Sequence, residues 1–164
     1  MKEIHMIHGF TALVDDEDYE ELSKHRWYCN DEYAIRRRKN GESGNTRNIK
    51  MHIAIMGKVE GLEIDHINGN KLDNQKSNLR HVTRSQNLCN MKPRGGSSRY
   101  KGVCWDSGTK KWRVQINDVG KVKYVGVYAN ESDAATAYNV AAEQLFGEYA
   151  RLNVVESNEG VGKC

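Results

Sequence analysis

The chain has 164 residues, 29% of them charged, and a formal net charge of +3, which leaves room for one domain or two small ones. It holds no run of about 18 apolar residues, so a helical membrane span is excluded, and its start (MKEIHMIHGF) lacks the apolar stretch of a secretory signal. Cys29, Cys89, Cys104 and Cys164 show no C-x-x-C spacing, so neither structural zinc nor a disulfide framework is expected, and a reducing cytoplasm fits.

In chain order, Phe10–Val14 reads as a short strand and Asp15–Leu22, with its acids in the first turn, as a helix. Arg26–Cys29 and Tyr33–Arg37 read as a hairpin, with another turn at Asn40-Gly41. Arg36, Arg37 and Arg38 read first as a solvated edge and second as a phosphate-contacting strand. Met51–Met56 is apolar and stops at Gly57, as a short helix would. Leu62–His66 and Leu79–Thr83 read as two strands joined by a polar loop that turns at Asn68-Gly69. Thr83-Arg84-Ser85-Gln86 fits a capping box, so a helix is expected from Thr83, with Asn87 near its first turn.

Pro93, the only proline, and the Gly-Gly-Ser-Ser run after it read as a linker at 94–98. Beyond it come strands at Tyr100–Trp105, Lys111–Asn117 and Lys121–Tyr128, with a turn at Asp118-Val119-Gly120. Trp112, Val114 and Ile116 then share one face, and Arg113, Gln115 and Asn117 the other. A helix over Glu131–Phe146 is expected to pack through Ala134, Tyr138, Ala141 and Leu145, flanked by Ala135, Ala142 and Phe146. Trp105 and Trp112 are expected in the core. Residues 154–164 read as a flexible tail.

The charge is strongly segregated. Residues 1–21 carry −6, residues 22–128 carry +13, and residues 129–153 carry −3. A basic block of that length suggests a polyanionic partner.

Asp65-His66, Asn78 and Asn87 stand at the spacing of HNH endonucleases, the ββα-metal nucleases, and most closely resemble the homing endonucleases of phage introns, whose last ligand is Asn. His52 falls in the helix that precedes the motif. The resemblance implies that His66 activates water, that Asp65 and Asn87 hold a divalent metal, and that Asn78 pins the loop orienting the histidine. All-oxygen ligation favours Mg²⁺, with Mn²⁺ also suited. Adjacent strand residues face opposite ways, so Asp65 and His66 share a site only if the strand ends or twists there. His52 and His81 are weaker candidates.

Tyr100-Lys101-Gly102-Val103, Trp112, Tyr124-Val125-Gly126, Ala137-Tyr138 and Leu152-Asn153 resemble the AP2/ERF DNA-binding domain. By position, the resemblance implies DNA contacts at Lys101, Gly102, Gln115 and Tyr124, and strand alternation adds Arg113. Cys104 stands where the plant domains carry an arginine, so their base preference does not transfer.

The sequence thus reads as an α+β protein in two parts. Residues 1–93 form an HNH nuclease domain with a β-rich N-terminal extension and a core motif at 51–90. Residues 97–153 form a three-stranded antiparallel sheet packed on one helix. The expected activity is metal-dependent hydrolysis of double-stranded DNA, in the manner of a mobile-element nuclease from phage or bacteria acting in the host cytoplasm. No membrane partner or organic cofactor is expected. The alternative is a non-cleaving DNA-binding regulator built on an inactive HNH scaffold.

Overall fold

The computed structural model describes residues 1–39, 41, 47–93, 95–118 and 120–155. The fold class is α+β, as the sequence implies, with small antiparallel sheets throughout. The chain forms two compact units, Met1–Asn87 and Leu88–Cys164. Among the described residues no helix is long and apolar enough to cross a membrane.

In the first unit, β1 (Lys2–His5) and β2 (Thr11–Val14) form a hairpin pairing Ile4 with Ala12. α1 (Asp16–Ser23) follows. β3 (Tyr28–Asn30), β4 (Tyr33–Arg37) and β5 (Asn48–Lys50) make a three-stranded sheet. Asp31 and Glu32 turn β3 into β4 at positive φ. Part of the Asn40-Gly41 turn lies outside the described residues. The core gathers Ile4, Met6, Ala12, Val14, Leu22, Trp27, Ala34 and Met51. Trp27 buries its ring there and donates its indole N–H to Leu22 O at 2.8 Å, which satisfies its one polar atom. The sequence reading did not anticipate β1 or β5. β1 has a single buried residue, Ile4, and β5 is only three residues long, so neither carries a legible alternation.

The unit ends in α2 (Met51–Met56), the hairpin of β6 (Glu63–His66) and β7 (Leu79–Val82), and α3 (Arg84–Cys89). The strand-loop-strand-helix order expected from the sequence is present. The boundary between the two units falls inside α3.

In the second unit, β8 (Val103–Asp106), β9 (Lys111–Asp118) and β10 (Lys121–Tyr128) form a sheet with β9 central. Val119, in the turn expected between the last two strands, lies outside the described residues. Val114 and Ile116 of β9 are buried, while Arg113, Gln115 and Asn117 are exposed, as alternation requires. α4 (Glu131–Phe146) packs on the sheet through Ala134, Ala135, Tyr138 and Ala142, with Phe146 alongside. The stripe is rotated from the expected one, because Leu145 is exposed. Three of the four fully buried helix residues are alanines, which let the helix lie close to the sheet. Trp105 also departs from expectation. It is 44% exposed at the strand end and meets Trp112 edge-on at 5.1 Å.

Asn153 ties the two ends of this unit together. Its side chain accepts from Lys101 N at 2.7 Å and donates to Lys101 O at 3.1 Å, and its backbone exchanges bonds with the Asn139 amide. Ser97 and Ser98, at the end of the expected linker, already belong to it. Ser97 Oγ accepts from Trp105 N, and Ser98 Oγ donates to Glu131. Val155 packs against the core, and residues 156–164 of the expected tail lie outside the described residues.

Gly102 is where this packing is tightest. Its φ is +75°, and a Cβ there would stand 2.2 Å from the Tyr138 ring and 2.7 Å from Gln115 O. Backbone strain and overlap add, so Gly102→Ala should destabilise the second unit by at least about 2 kcal/mol. A urea titration followed by Trp fluorescence should show a lower midpoint for this unit.

Candidate functional site

The β6–β7 hairpin positions the motif. Asp65 pairs with Arg80 and His66 with Leu79, and the connection between the strands runs from Ile67 to Asn78. Short polar side chains fold this loop by bonding to its own backbone. Asn68 Oδ1 accepts from Asn70 N at 2.8 Å, and Asn70 Oδ1 accepts from Leu72 N at 3.1 Å. Asn78 closes the loop from the far end. Its Oδ1 accepts from Asn68 N at 3.0 Å and its Nδ2 donates to Asp73 O at 2.8 Å. One buried amide thus uses both its donor and its acceptor to fix the loop's width.

The N-terminal hairpin braces the same loop. Leu13 N donates to Leu72 O, and Asn74 N donates to Leu13 O, both at 2.8 Å. The Asp15 carboxylate accepts from Lys76 N at 2.7 Å, and Glu17 and Asp18 hold the Lys76 ammonium. The acidic start of α1 therefore grips the loop as well as starting a helix.

Asn74, fully buried, turns its Oδ1 to His66 Nε2 at 3.4 Å. A carbonyl oxygen only accepts, so this contact requires the proton on Nε2 and leaves the lone pair on Nδ1. His66 is itself buried. Burial lowers its pKa, opposed by the Asn74 bond and by the charges of Asp65 and Asp73, with Lys71 adding to the depression. The imidazole is accordingly neutral at neutral pH. His52 packs edge-on against it, with ring centroids 5.0 Å apart, and Tyr33 lies 5.3 Å from His52 and 6.1 Å from His66. Burial pushes the His52 pKa down to about 3. His81 is half-buried and sits 3.3 Å from Gly57 O through Nε2.

Asp65 precedes His66 on β6, and the strand ends at His66, which is the condition for the two neighbours to serve one site although their side-chain contacts differ. Asp65 Oδ2 accepts from Arg80 Nε at 3.0 Å and Nη2 at 2.9 Å. Two residues earlier, on the same face, Glu63 accepts from Asn87 Nδ2 at 2.6 Å and Arg84 Nη1 at 2.9 Å. Asn87 is held there by the expected capping box. Thr83 N donates to Gln86 Oε1 at 2.8 Å, and Gln86 N to Thr83 Oγ1 at 3.3 Å. Glu63 was missed in the sequence reading. Its period-two spacing from Asp65 was the available signal. Asn74 carried no local signal, because its contact with His66 depends on the loop path.

Of the three arginines, only Arg37 is exposed. Arg36 is buried, 5.9 Å over the Trp27 ring, and Arg38 is half-buried beside the Arg47 backbone. The solvated-edge reading therefore fails for Arg36, because alternation on β4 turns it into the core.

In the second unit, Arg113, Gln115 and Tyr124 share the open sheet face. Tyr124 is 64% exposed and pairs directly with Gln115. Cys104 pairs with Arg113 across the neighbouring strand. Lys101 is turned elsewhere, with its ammonium on Cys89 O and its pKa lowered by burial to about 8. Gly102 answers to the Tyr138 ring, as described above.

A hairpin enclosing a neutral, amide-held histidine, followed by a helix that carries an asparagine onto its carboxylate face, is the ββα arrangement of a phosphodiester-cleaving site. The family model for HNH endonuclease matches residues 52–89. An uncharacterized HNH endonuclease of Acanthamoeba polyphaga mimivirus is 31% identical over 159 residues, covering 90% of this chain and 77% of its own. Protein 3.8 of Escherichia phage T7 is 36% identical over 108 residues, covering 65% of this chain and 88% of its own. The AP2-like ethylene-responsive transcription factor TOE2 of Arabidopsis thaliana is 40% identical over 63 residues, which is 38% of this chain and 13% of that protein. No solved structure matches. The chain belongs to the HNH endonuclease family.

His52 gives a pH prediction. Its pKa is about 6.5 unfolded and about 3 folded, so the unfolded state binds the extra proton between those values. Stability is full above about pH 6.5 and falls as pH drops toward 3. Melting temperatures measured across this window should decline for the wild type, and His52→Phe should flatten part of that decline.

Proposed function

We propose that the chain is a divalent-metal-dependent DNA endonuclease whose second unit binds double-stranded DNA and directs cutting. The observation that carries the catalytic reading is His66 held neutral, with its Nε2 proton committed to Asn74. His66 Nδ1 takes a proton from the water that attacks phosphorus, and the phosphorus–oxygen bond to the leaving strand breaks. Asn78 and Asn74 keep the imidazole in register during that transfer.

The donor set that begins at the neighbouring Asp65 fits a hard cation, and because β6 ends at His66 both can address one phosphate. Asp65 and Asn87 offer oxygens, and Glu63 holds the Asn87 amide in place. Among the described residues no three His, Cys, Asp or Glu side chains converge on one point. Two protein oxygens, completed by phosphate and water, are therefore the arrangement we propose. Asn87 already donates through Nδ2 to Glu63, so its Oδ1 is the atom to offer. Arg80 holds one oxygen of Asp65 and must share that carboxylate. A bound Mg²⁺ or Mn²⁺ would neutralise phosphate charge and stabilise the leaving oxygen.

Arg113, Gln115 and Tyr124 form the surface we assign to the DNA major groove, which admits a β-sheet and in which Arg reads guanine and Gln adenine. The +5 charge of residues 97–128, against −3 over 129–153, supports that face as the one turned to DNA. The likeness to TOE2 supports it further. Joining reader and nuclease in one chain raises the local concentration of cuttable DNA. The viral relatives support a phage or other mobile-element setting for such an enzyme.

A supercoiled plasmid should be cut with Mg²⁺ or Mn²⁺ and left intact in EDTA. His66→Ala, Asp65→Ala and Asn87→Ala should each slow cutting by about 100-fold or more. DNA that stays supercoiled with every metal would favour the non-cleaving regulator. In a separate binding assay, Arg113→Ala and Gln115→Ala should each remove about 1–3 kcal/mol of preference for the selected site over random DNA.

A further inference from the structure

We propose that Lys50 and Lys71, gathered on the ring of Tyr33, form a binding site for a backbone phosphate beside the bond that is cut. The proposal rests on the nuclease reading of His66. Lys50 Nζ lies 4.0 Å from the Tyr33 ring centroid, and Lys71 Nζ lies 4.6 Å from the same centroid. The three residues come from the start of β4, the end of β5 and the loop after β6. Folding, not sequence proximity, brings them together, and it places them against the base, because the Tyr33 ring is 6.1 Å from that of His66.

Holding two ammonium groups on one ring is unfavourable unless an anion joins them. Lys71 has one, Glu32, at 2.9 Å, and its ammonium also reaches Asp31 O at 3.5 Å. Lys50 has no carboxylate in ion-pair range among the described residues, although the charge of Asp31 acts on it from further away. Burial and the charge of Lys71 both lower the Lys50 pKa, so the pair is an electrostatic load in the free protein. A phosphodiester relieves it. Lysine binds phosphate as a point charge and so imposes no base preference, which suits a contact next to the scissile bond. The cation–π contact with Tyr33 keeps the Lys50 ammonium ordered before DNA arrives.

The test is the salt dependence of binding by the full chain to a random-sequence duplex, read by fluorescence anisotropy in EDTA so that no cutting occurs. Each lost phosphate contact should reduce the slope of log K against log salt by about 0.9. Lys50→Gln and Lys71→Gln should each show that loss, and Lys50→Arg and Lys71→Arg should restore most of it. In the cleavage assay Lys50→Gln should raise KM more than it lowers kcat. Slopes equal to wild type in both Gln variants, with unchanged melting temperatures, would overturn the site. If Lys71→Gln melts early because the Lys71–Glu32 ion pair is lost, Lys50→Gln alone decides. A wild type that never cuts but loses slope in these variants would remove the nuclease reading and keep the phosphate site.

Discussion

The geometry of the whole site depends on one buried amide. Asn78 bonds to the backbone at both Asn68 and Asp73, and so fixes the span of a loop that is irregular except for one 3-10 turn at Lys76–Asn78. Such a loop is ordinarily mobile, because its backbone groups can exchange partners with water. Here Asn68, Asn70 and Asp73 satisfy the backbone locally, and Asn78 locks the ends. Asn74 reaches His66 only because that lock holds. The backbone bonds between Leu13 and residues 72 and 74 add a second brace from outside the motif. This gives the N-terminal extension a physical task within the catalytic unit.

Strand alternation then divides the chemistry. Asp65 and His66 are adjacent at the end of β6, which stops at His66. One face of the hairpin collects charge: Glu63, Asp65, Arg80, Arg84 and the Asn87 amide. The other collects neutral rings: His66, His52 and Tyr33. A proton acceptor needs the second environment, because burial keeps imidazole uncharged. The oxygen ligands we propose lie in the first. Asp65 still raises the affinity of His66 for a proton, so the two faces are electrostatically coupled although their contacts are distinct.

Most of the elements were legible in the sequence, because they rest on local chemistry. Capping at Thr83, alternation along β9 and the glycine after α4 each follow from a few neighbouring residues. What could not be read depends on tertiary path. Asn74 and Glu63 gain their roles from which chain segment folds over them. Lys101 matches a DNA-contacting position of the AP2 pattern, yet burial against the Cys89 carbonyl takes its ammonium away from the open face. Gly102 matches that pattern too, and the ring of Tyr138 alone suffices to require it. A motif position records that a residue type is needed there, and it does not distinguish packing from contact.

The charge pattern changes meaning for the same reason. The N-terminal segment carries −6, which on a solvated helix would repel DNA from the unit meant to cut it. Much of that charge is engaged internally. Asp15, Glu17 and Asp18 hold Lys76 and its backbone, and Asp16 holds the chain's N-terminal ammonium. Each of these acids is matched by a cation or an amide within the unit, so its field at a distance is weaker than its formal charge suggests. Lys50 stands on the opposite side of that accounting, a half-buried ammonium with no carboxylate against it among the described residues. Attraction for a polyanion is therefore set by which charges the fold leaves uncompensated. The sum over the chain, +3, reports neither the acids already engaged nor the lysines gathered at Tyr33.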